Sequence, residues 1–214
     1  HLKDEIAIME QESAPFSLRS HTVRVPQFMK EIIGHLTFEA RKASEINQSS
    51  GVSVRVTINN YESIVSNAEK RALRLREKEV VPRISDLHSM LASTAGKIEV
   101  EYMGEDKKED ELVERILNRA IMKAFDQHFS VNSVQNIVDY FNAGWGVEVS
   151  DAMRSDDYME GVREIPGLKD AINTLGPMDS PALMSSATEF VLEGLHLHQK
   201  LNKEVEGGRV TYGK

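Results

Sequence analysis

Apolar side chains recur along this chain at helical spacing in almost every segment and at strand spacing in only one, and that imbalance limits what it can fold into. Val25-Pro26 places an extended residue before a proline suited to a first helical turn. Phe28, Met29, Ile32, Ile33, Leu36, Ala40 and Ala43 then predict a helix from about Pro26 to about Ile46. A second stripe, Ile58, Tyr61, Ile64, Val65, Ala68, Ala72 and Leu75, predicts another long helix opening near Ser53 or Asn60. The broadest stripe runs from Leu112 through Ile116, Ala120 and Ala124 to Phe129, a width that implies deep burial. Shorter helices are expected around Leu87–Leu91, with Ser85 or Asp86 near the cap, around Val134–Phe141, ended by Gly144-Trp145-Gly146, and around Leu168–Leu175. Trp145 reads as a core or interface anchor. Ser180-Pro181 starts the last helix, with inward positions through Leu201. Only Gly96 to Tyr102 alternates apolar and charged residues, and a lone strand must find a partner for its backbone groups. The expected fold is mainly α, with at most a short strand or hairpin near 97–103 and a frayed glycine-rich tail from Glu206.

Composition removes several classes of function. The 214 residues include no cysteine, so disulfides, thiolate zinc sites and thiol nucleophiles are absent, which fits a reducing, cytoplasmic setting. A formal charge of -8 argues against a surface built mainly for nucleic acid. No apolar run approaches the roughly 20 residues of a membrane-spanning helix, so no membrane association is expected. The opening His1-Leu2-Lys3-Asp4 lacks an initiator Met, which leads to the expectation of further residues upstream.

The chemistry-bearing motifs are few. There is no G-x-x-x-x-G-K-[ST] phosphate loop, no G-x-G-x-x-G, no H-E-x-x-H and no G-x-S-x-G. Lys70, Arg71, Arg74, Arg76 and Lys78 read as the solvated, cation-rich end of a helix. The acidic run from Glu105 to Glu111 reads as a helix start, and Lys107 and Lys108 within it would repel a cation. His196 and His198 stand two apart and so face opposite sides of a helix. Glu193 and His196 share a face, but carboxylate sites of that kind need further glutamates. No metal site is expected.

What remains is the turn Ser49-Ser50-Gly51-Val52-Ser53-Val54-Arg55. An arginine in the first turn of a helix joins a fixed charge and a bidentate fork to unpaired backbone N–H groups, a combination suited to phosphate. Gly51, Ser53 and Arg55 are therefore the candidate binding residues, and Arg55 is the one that would act on the ligand.

The order from Phe38 to Leu87 is a helix, this Ser-Gly-x-Ser-x-Arg turn, an alanine-bearing helix with Ala68 and Arg71-Ala72, and then Val81-Pro82-Arg83-Ile84-Ser85-Asp86-Leu87. It resembles the C-terminal lid of MoxR-type and magnesium-chelatase-I-like AAA+ ATPases. In those lids a Gly-Ala-Ser-Pro-Arg-like turn carries the sensor-2 arginine, and a Val-Thr-Pro-Glu-Asp-like turn opens the closing helix. Gly51 and Ser53 match the first turn and Arg55 matches sensor 2. Pro82 and Asp86 match the closing turn loosely, and Val54 stands where many members have proline. Gly96-Lys97-Ile98-Glu99, the helix after it and Glu189-Phe190-Val191-Leu192-Glu193-Gly194-Leu195 are similar to a bacterial subgroup often labelled magnesium chelatase.

The resemblance implies a connector at 1–24, a lid-like helical domain at 25–95, a helical extension at 96–205 and a flexible tail at 206–214. It also implies ATP and Mg2+ as cofactors of the intact protein, with none held by this chain alone. An AAA+ core upstream, neighbouring subunits of a homo-oligomeric ring and a client or adaptor protein would be the partners, and the work would be protein remodelling or chaperone-like. Lacking the phosphate loop, the chain by itself should not hydrolyse ATP. The competing expectation is a nucleotide-free helical interaction or regulatory module, docking through the basic helix from Glu69 to Arg83 or the acidic segment near Glu105.

Overall fold

The last long helix, Pro181–Leu197, is enclosed by the rest of the protein along nearly its whole length, from Ala182 to Leu195. A helix apolar on most of its sides has no solvent face and must sit inside its fold. The structure, a computed structural model, describes residues 1–13, 21–47, 52–95, 97–98 and 109–214. Among them the helices are α1 (Leu2–Glu12), α2 (Gln27–Lys42), α3 (Val54–Leu75), α4 (Ser89–Ala95), α5 (Glu109–His128), α6 (Gln135–Asn142), α7 (Ser155–Val162), α8 (Leu168–Thr174) and the central α9 (Pro181–Leu197). The fold is mainly α, as the periodicity predicts.

Aromatic and small residues set how closely the helices approach α9. Phe28 of α2 stacks on Phe190 with ring centroids 4.5 Å apart, and Phe125 of α5 meets Phe190 edge-on at 6.1 Å. Gly194 lets α5 come closer still: a Cβ built there would lie 2.0 Å from Phe125 Cδ2. The same core holds Ile6 and Met9 of α1, Ile64 and Val65 of α3, and Phe141 of α6, so one apolar interior takes residues from both sides of position 96. Each of these side chains contributes on the order of 1.5–3 kcal/mol by leaving water.

Helix boundaries follow local chemistry. α2 ends at Lys42, earlier than the stripe through Ile46 suggests, because Ala43 adopts an extended backbone with φ -68° and ψ 123°. α3 begins just after Ser53, whose Oγ accepts the Arg55 backbone N–H at 3.3 Å. Ahead of α4 the chain makes a 3-10 turn, Ile84–His88, in which Asp86 occupies the third position and not the cap; its Oδ2 accepts the Arg83 N–H at 2.8 Å. α9 stops at Leu197, yet Leu201 beyond it is still buried.

The strands lie elsewhere than expected. Residues 99–103 of the alternating segment fall outside the described residues, and Ile98 beside them is buried. β1 (Thr22–Val23) and β2 (Glu79–Val80) form a two-residue parallel pair. β3 (Val147–Ser150), β4 (Asn202–Glu206) and β5 (Arg209–Gly213) form an antiparallel sheet in the order β3-β5-β4. The tail from Glu206, expected to fray, is paired here as half of a hairpin. Val205 pairs with Val210 and Glu206 with Arg209, so Gly207 and Gly208 alone form the turn, with φ of 58° and 82°. Glycine adopts that conformation without a steric penalty. Tyr212, 2% exposed, ties the hairpin to α9 by donating its hydroxyl to Glu193 Oε2 at 2.5 Å. Trp145 is 59% exposed and stacks on Tyr140 with centroids 5.7 Å apart, so within the described residues it anchors no core.

Candidate functional site

The first turn of α3 is held from behind by a buried polar clamp. Glu5 of α1 accepts two parallel hydrogen bonds from Arg41 of α2, at 2.9 and 3.0 Å, and Arg41 Nε donates to the Val52 carbonyl at 2.8 Å. Thr57, one turn into α3, donates to Glu5 Oε1 at 2.6 Å and lies 2.7 Å from the Thr37 hydroxyl. A bidentate arginine–carboxylate pair fixes orientation as well as distance. With Val56 and Thr57 buried against this clamp, the opposite side of the turn faces solvent.

Arg55 is on that outer side. Its side chain is exposed, and its guanidinium makes no hydrogen bond or ion pair with any described residue. Ser53 takes one of the amide groups that every helix start leaves unsatisfied, that of Arg55 itself. Gly51, the third candidate of the sequence reading, lies outside the described residues, as do Ser49 and Ser50. Of the proposed set, Ser53 and Arg55 are adjacent and rigidly mounted. The turn supplies a positive charge and helix N–H groups to an approaching anion, but within the described residues it offers no base, nucleophile or metal ligand set.

The other end of α3 is organised quite differently. Arg71, assigned by its spacing to the basic outer side, is only 4% exposed and belongs to the interior. Its Nη2 donates to Asp86 Oδ2 at 2.9 Å and to the Val81 carbonyl at 2.7 Å, and Nη1 lies 3.5 Å from Glu77 Oε2. Arg74, by contrast, does reach outward, to Asp151 at 2.9 Å. Arg83 is fully buried, donating to the Met153 carbonyl at 3.0 Å and Ser155 Oγ at 2.7 Å. Glu77 joins the two guanidiniums and also accepts the Ser155 N–H at 2.6 Å. Glu189 of α9 completes the cluster through Oε2, which accepts the Ser85 N–H at 2.9 Å.

Burial acts on these charges in opposite ways. It opposes the charge on Arg71, but the attraction and hydrogen bonding of Asp86 outweigh it and hold that guanidinium above its ordinary value. Burial, reinforced by the charge of Arg71, pulls Arg83 below its ordinary value. The same burial pushes the Glu189 carboxyl up, against the pull of Arg83. This cluster joins the 3-10 turn and α3 to α7 and α9. Nothing in the spacing of Arg71, Arg83 and Glu189 marks them as partners, and only the pairing of Pro82 with Asp86 in the resemblance draws attention to that turn.

The histidines and carboxylates considered as ligands have structural partners instead. His198 donates Nδ1–H to the Gly194 carbonyl at 2.7 Å and contacts Asp126 at 2.9 Å through Nε2. Glu193 is taken by Lys203 and Tyr212. No group of three or more potential ligands is assembled among the described residues, and no helix among them is long and apolar enough to cross a membrane. No protein-family model matches the chain, and no curated protein or solved structure matches it either.

Proposed function

We propose that this chain is the lid-bearing part of an AAA+-type ring ATPase of the MoxR or magnesium-chelatase-like kind, in which Arg55 senses the terminal phosphate of ATP. The observation that carries the reading is the state of Arg55: a guanidinium in the first turn of a clamped helix, exposed and engaged by no described residue. The order of α2, turn, α3, 3-10 turn and α4 supports it, since this is the succession in which the lid-like motifs occur in the sequence. So does the rigid link from Asp86 to Arg71, which would transmit a tilt of α3 to the helices behind it.

In this reading the phosphate loop, absent from these 214 residues, belongs to a core that closes on the α3 turn with ATP and Mg2+ between them. Arg55 adds positive charge where the transferred phosphoryl group gathers negative charge, and Ser53 keeps the turn in register. A positioned cation of this kind commonly contributes a factor of about 10²–10³ or more to phosphoryl transfer. Ring neighbours and a client or adaptor protein are the partners proposed, with remodelling as the work done.

The test is ATP turnover by the protein assembled with its nucleotide-binding core, comparing wild type with Arg55→Ala and Arg55→Lys. Loss of turnover in Arg55→Ala by about 10²-fold, with partial recovery in Arg55→Lys, is expected. Equal turnover and equal nucleotide affinity in all three would remove Arg55 from the site and leave the nucleotide-free interaction module as the better reading.

A further inference from the structure

A cavity of about 530 Å³ opens between the 3-10 turn, α5, α9 and the β3-β5-β4 sheet, and no residue from the start of α3 lines it. Its size falls within the usual range for small-molecule sites. Apolar side chains such as Leu117, Ile121 and Leu197 supply much of the wall. The acidic and lysine side chains that line it are four carboxylates, Glu114, Asp151, Glu189 and Glu193, against Lys203.

Most of that charge is already committed. Asp151 is paired with Arg74 at 2.9 Å, and Glu193 with Lys203 at 2.8 Å. Glu114 is exposed. Glu189 is different: it is 3% exposed, its Oε2 is held by the Ser85 N–H, and its Oε1 is buried without a hydrogen-bond partner among the described residues. Ser85, on the same wall, likewise has a buried hydroxyl with no described partner. His196 also lines the cavity, with its Nδ1–H on the Leu201 carbonyl at 3.1 Å. Arg83 and Arg71 lie near Glu189 and donate to other groups through their Nη atoms, while Arg83 Nε is buried without a described partner. Buried polar atoms in folded proteins are normally satisfied, and each exception calls for a cause.

Two buried oxygens without a described partner, in an acidic cavity with apolar walls, define a complementary ligand. We propose that this cavity binds a small aliphatic ammonium ion, its head donating to Glu189 Oε1 and Ser85 Oγ and its hydrocarbon lying against Leu117, Ile121 and Leu197. An ammonium group carries three donors and no acceptor, so it has a donor for each of these oxygens. A carboxylate or phosphate ligand would face the acidic lining, whose lysine is already taken by Glu193.

The experiment is calorimetric titration of the full protein at neutral pH with n-pentylamine, n-pentanol and pentanoate. Pentylamine should bind at least about tenfold more tightly than pentanol, with pentanoate weaker still, because charge-assisted hydrogen bonds are the stronger ones. Glu189→Gln should weaken pentylamine by about tenfold or more, while leaving pentanol within about twofold. Ser85→Ala should weaken pentylamine by a smaller factor and, being a change of one hydroxyl, keeps the test open should Glu189→Gln not fold. No binding of pentylamine up to about 10 mM would overturn the proposal, that concentration being weak for a ligand of this size. Pentanoate binding as tightly as pentylamine, or undiminished pentylamine binding in both variants, would overturn it too.

Discussion

Helix α3 carries an arginine near each end, and the fold treats the two in opposite ways. Arg71 is sealed in with Asp86, Glu77 and Arg83, whereas Arg55 stands in solvent with its first turn clamped behind it. The difference separates two uses of one side chain. A buried guanidinium is costly unless every donor is met, and its partners then become obligatory for folding. An exposed one contributes little to stability and is free to bind something else.

The sharpest way to break this contrast is Asp86→Ala. It would leave Arg71 buried with no carboxylate nearer than Glu77 at 3.5 Å, beside its bond to the Val81 carbonyl, and would also remove the acceptor of the Arg83 N–H. A loss of about 3–5 kcal/mol is expected, read as a fall in the thermal midpoint of roughly 6–20 °C for a chain of this size. A midpoint unchanged within error would show that the buried cluster is not what joins α3 to α9.

A smaller effect is expected from pH, through Glu189. Burial raises its carboxyl above the ordinary 4.5, against the attraction of Arg83 and Arg71 and with the repulsion of Asp86. An acid with a raised folded value binds its proton more tightly when folded, so its contribution is fully present below the unfolded value and declines as pH rises through the interval above it. Urea unfolding of wild type and Glu189→Gln across about pH 4 to 8 should therefore show wild type losing ground to the variant as pH increases. Parallel pH profiles would mean that the carboxylate is ionised in the folded protein at no net cost.

The smallest effect belongs to Arg55→Ala, where unfolding stability should move by less than about 0.5 kcal/mol because the side chain is exposed and makes no hydrogen bond or ion pair with a described residue. Measured by the same urea unfolding, a larger loss would place Arg55 among the structural arginines and weaken its candidacy as a ligand-binding group.

The helices were legible in the sequence because their stripes persist over many turns, whereas the opening of α3 stood between Ser53 and Asn60, and the structure takes Ser53. The C-terminal hairpin was not, although a signal existed: Gly207-Gly208 flanked by Val205 and Val210 is the pattern of a two-residue turn. The polar run Lys203, Glu204 and Glu206 hid it, since β4 is exposed at Asn202, Glu204, Val205 and Glu206 and so has no apolar alternation. Arg71 and Arg83 were misjudged or passed over for another reason. Charge favours the surface by default, and what reverses it here is Ser155, Glu77 and Asp86, partners that only tertiary contact supplies. The ammonium cavity was equally invisible, because Ser85 and Glu189 lie a hundred residues apart and meet through one backbone hydrogen bond.

The stacking of Phe28 on Phe190 has a consequence for how this protein is made. The two rings stand far apart in the sequence, and α9, which carries the second, is enclosed along nearly its whole length. During synthesis α2 must wait for α9 to emerge from the ribosome before its apolar face has its final partner. Contacts so distant in sequence slow folding, and meanwhile the nascent α2 and α3 present the kind of surface that chaperones recognise.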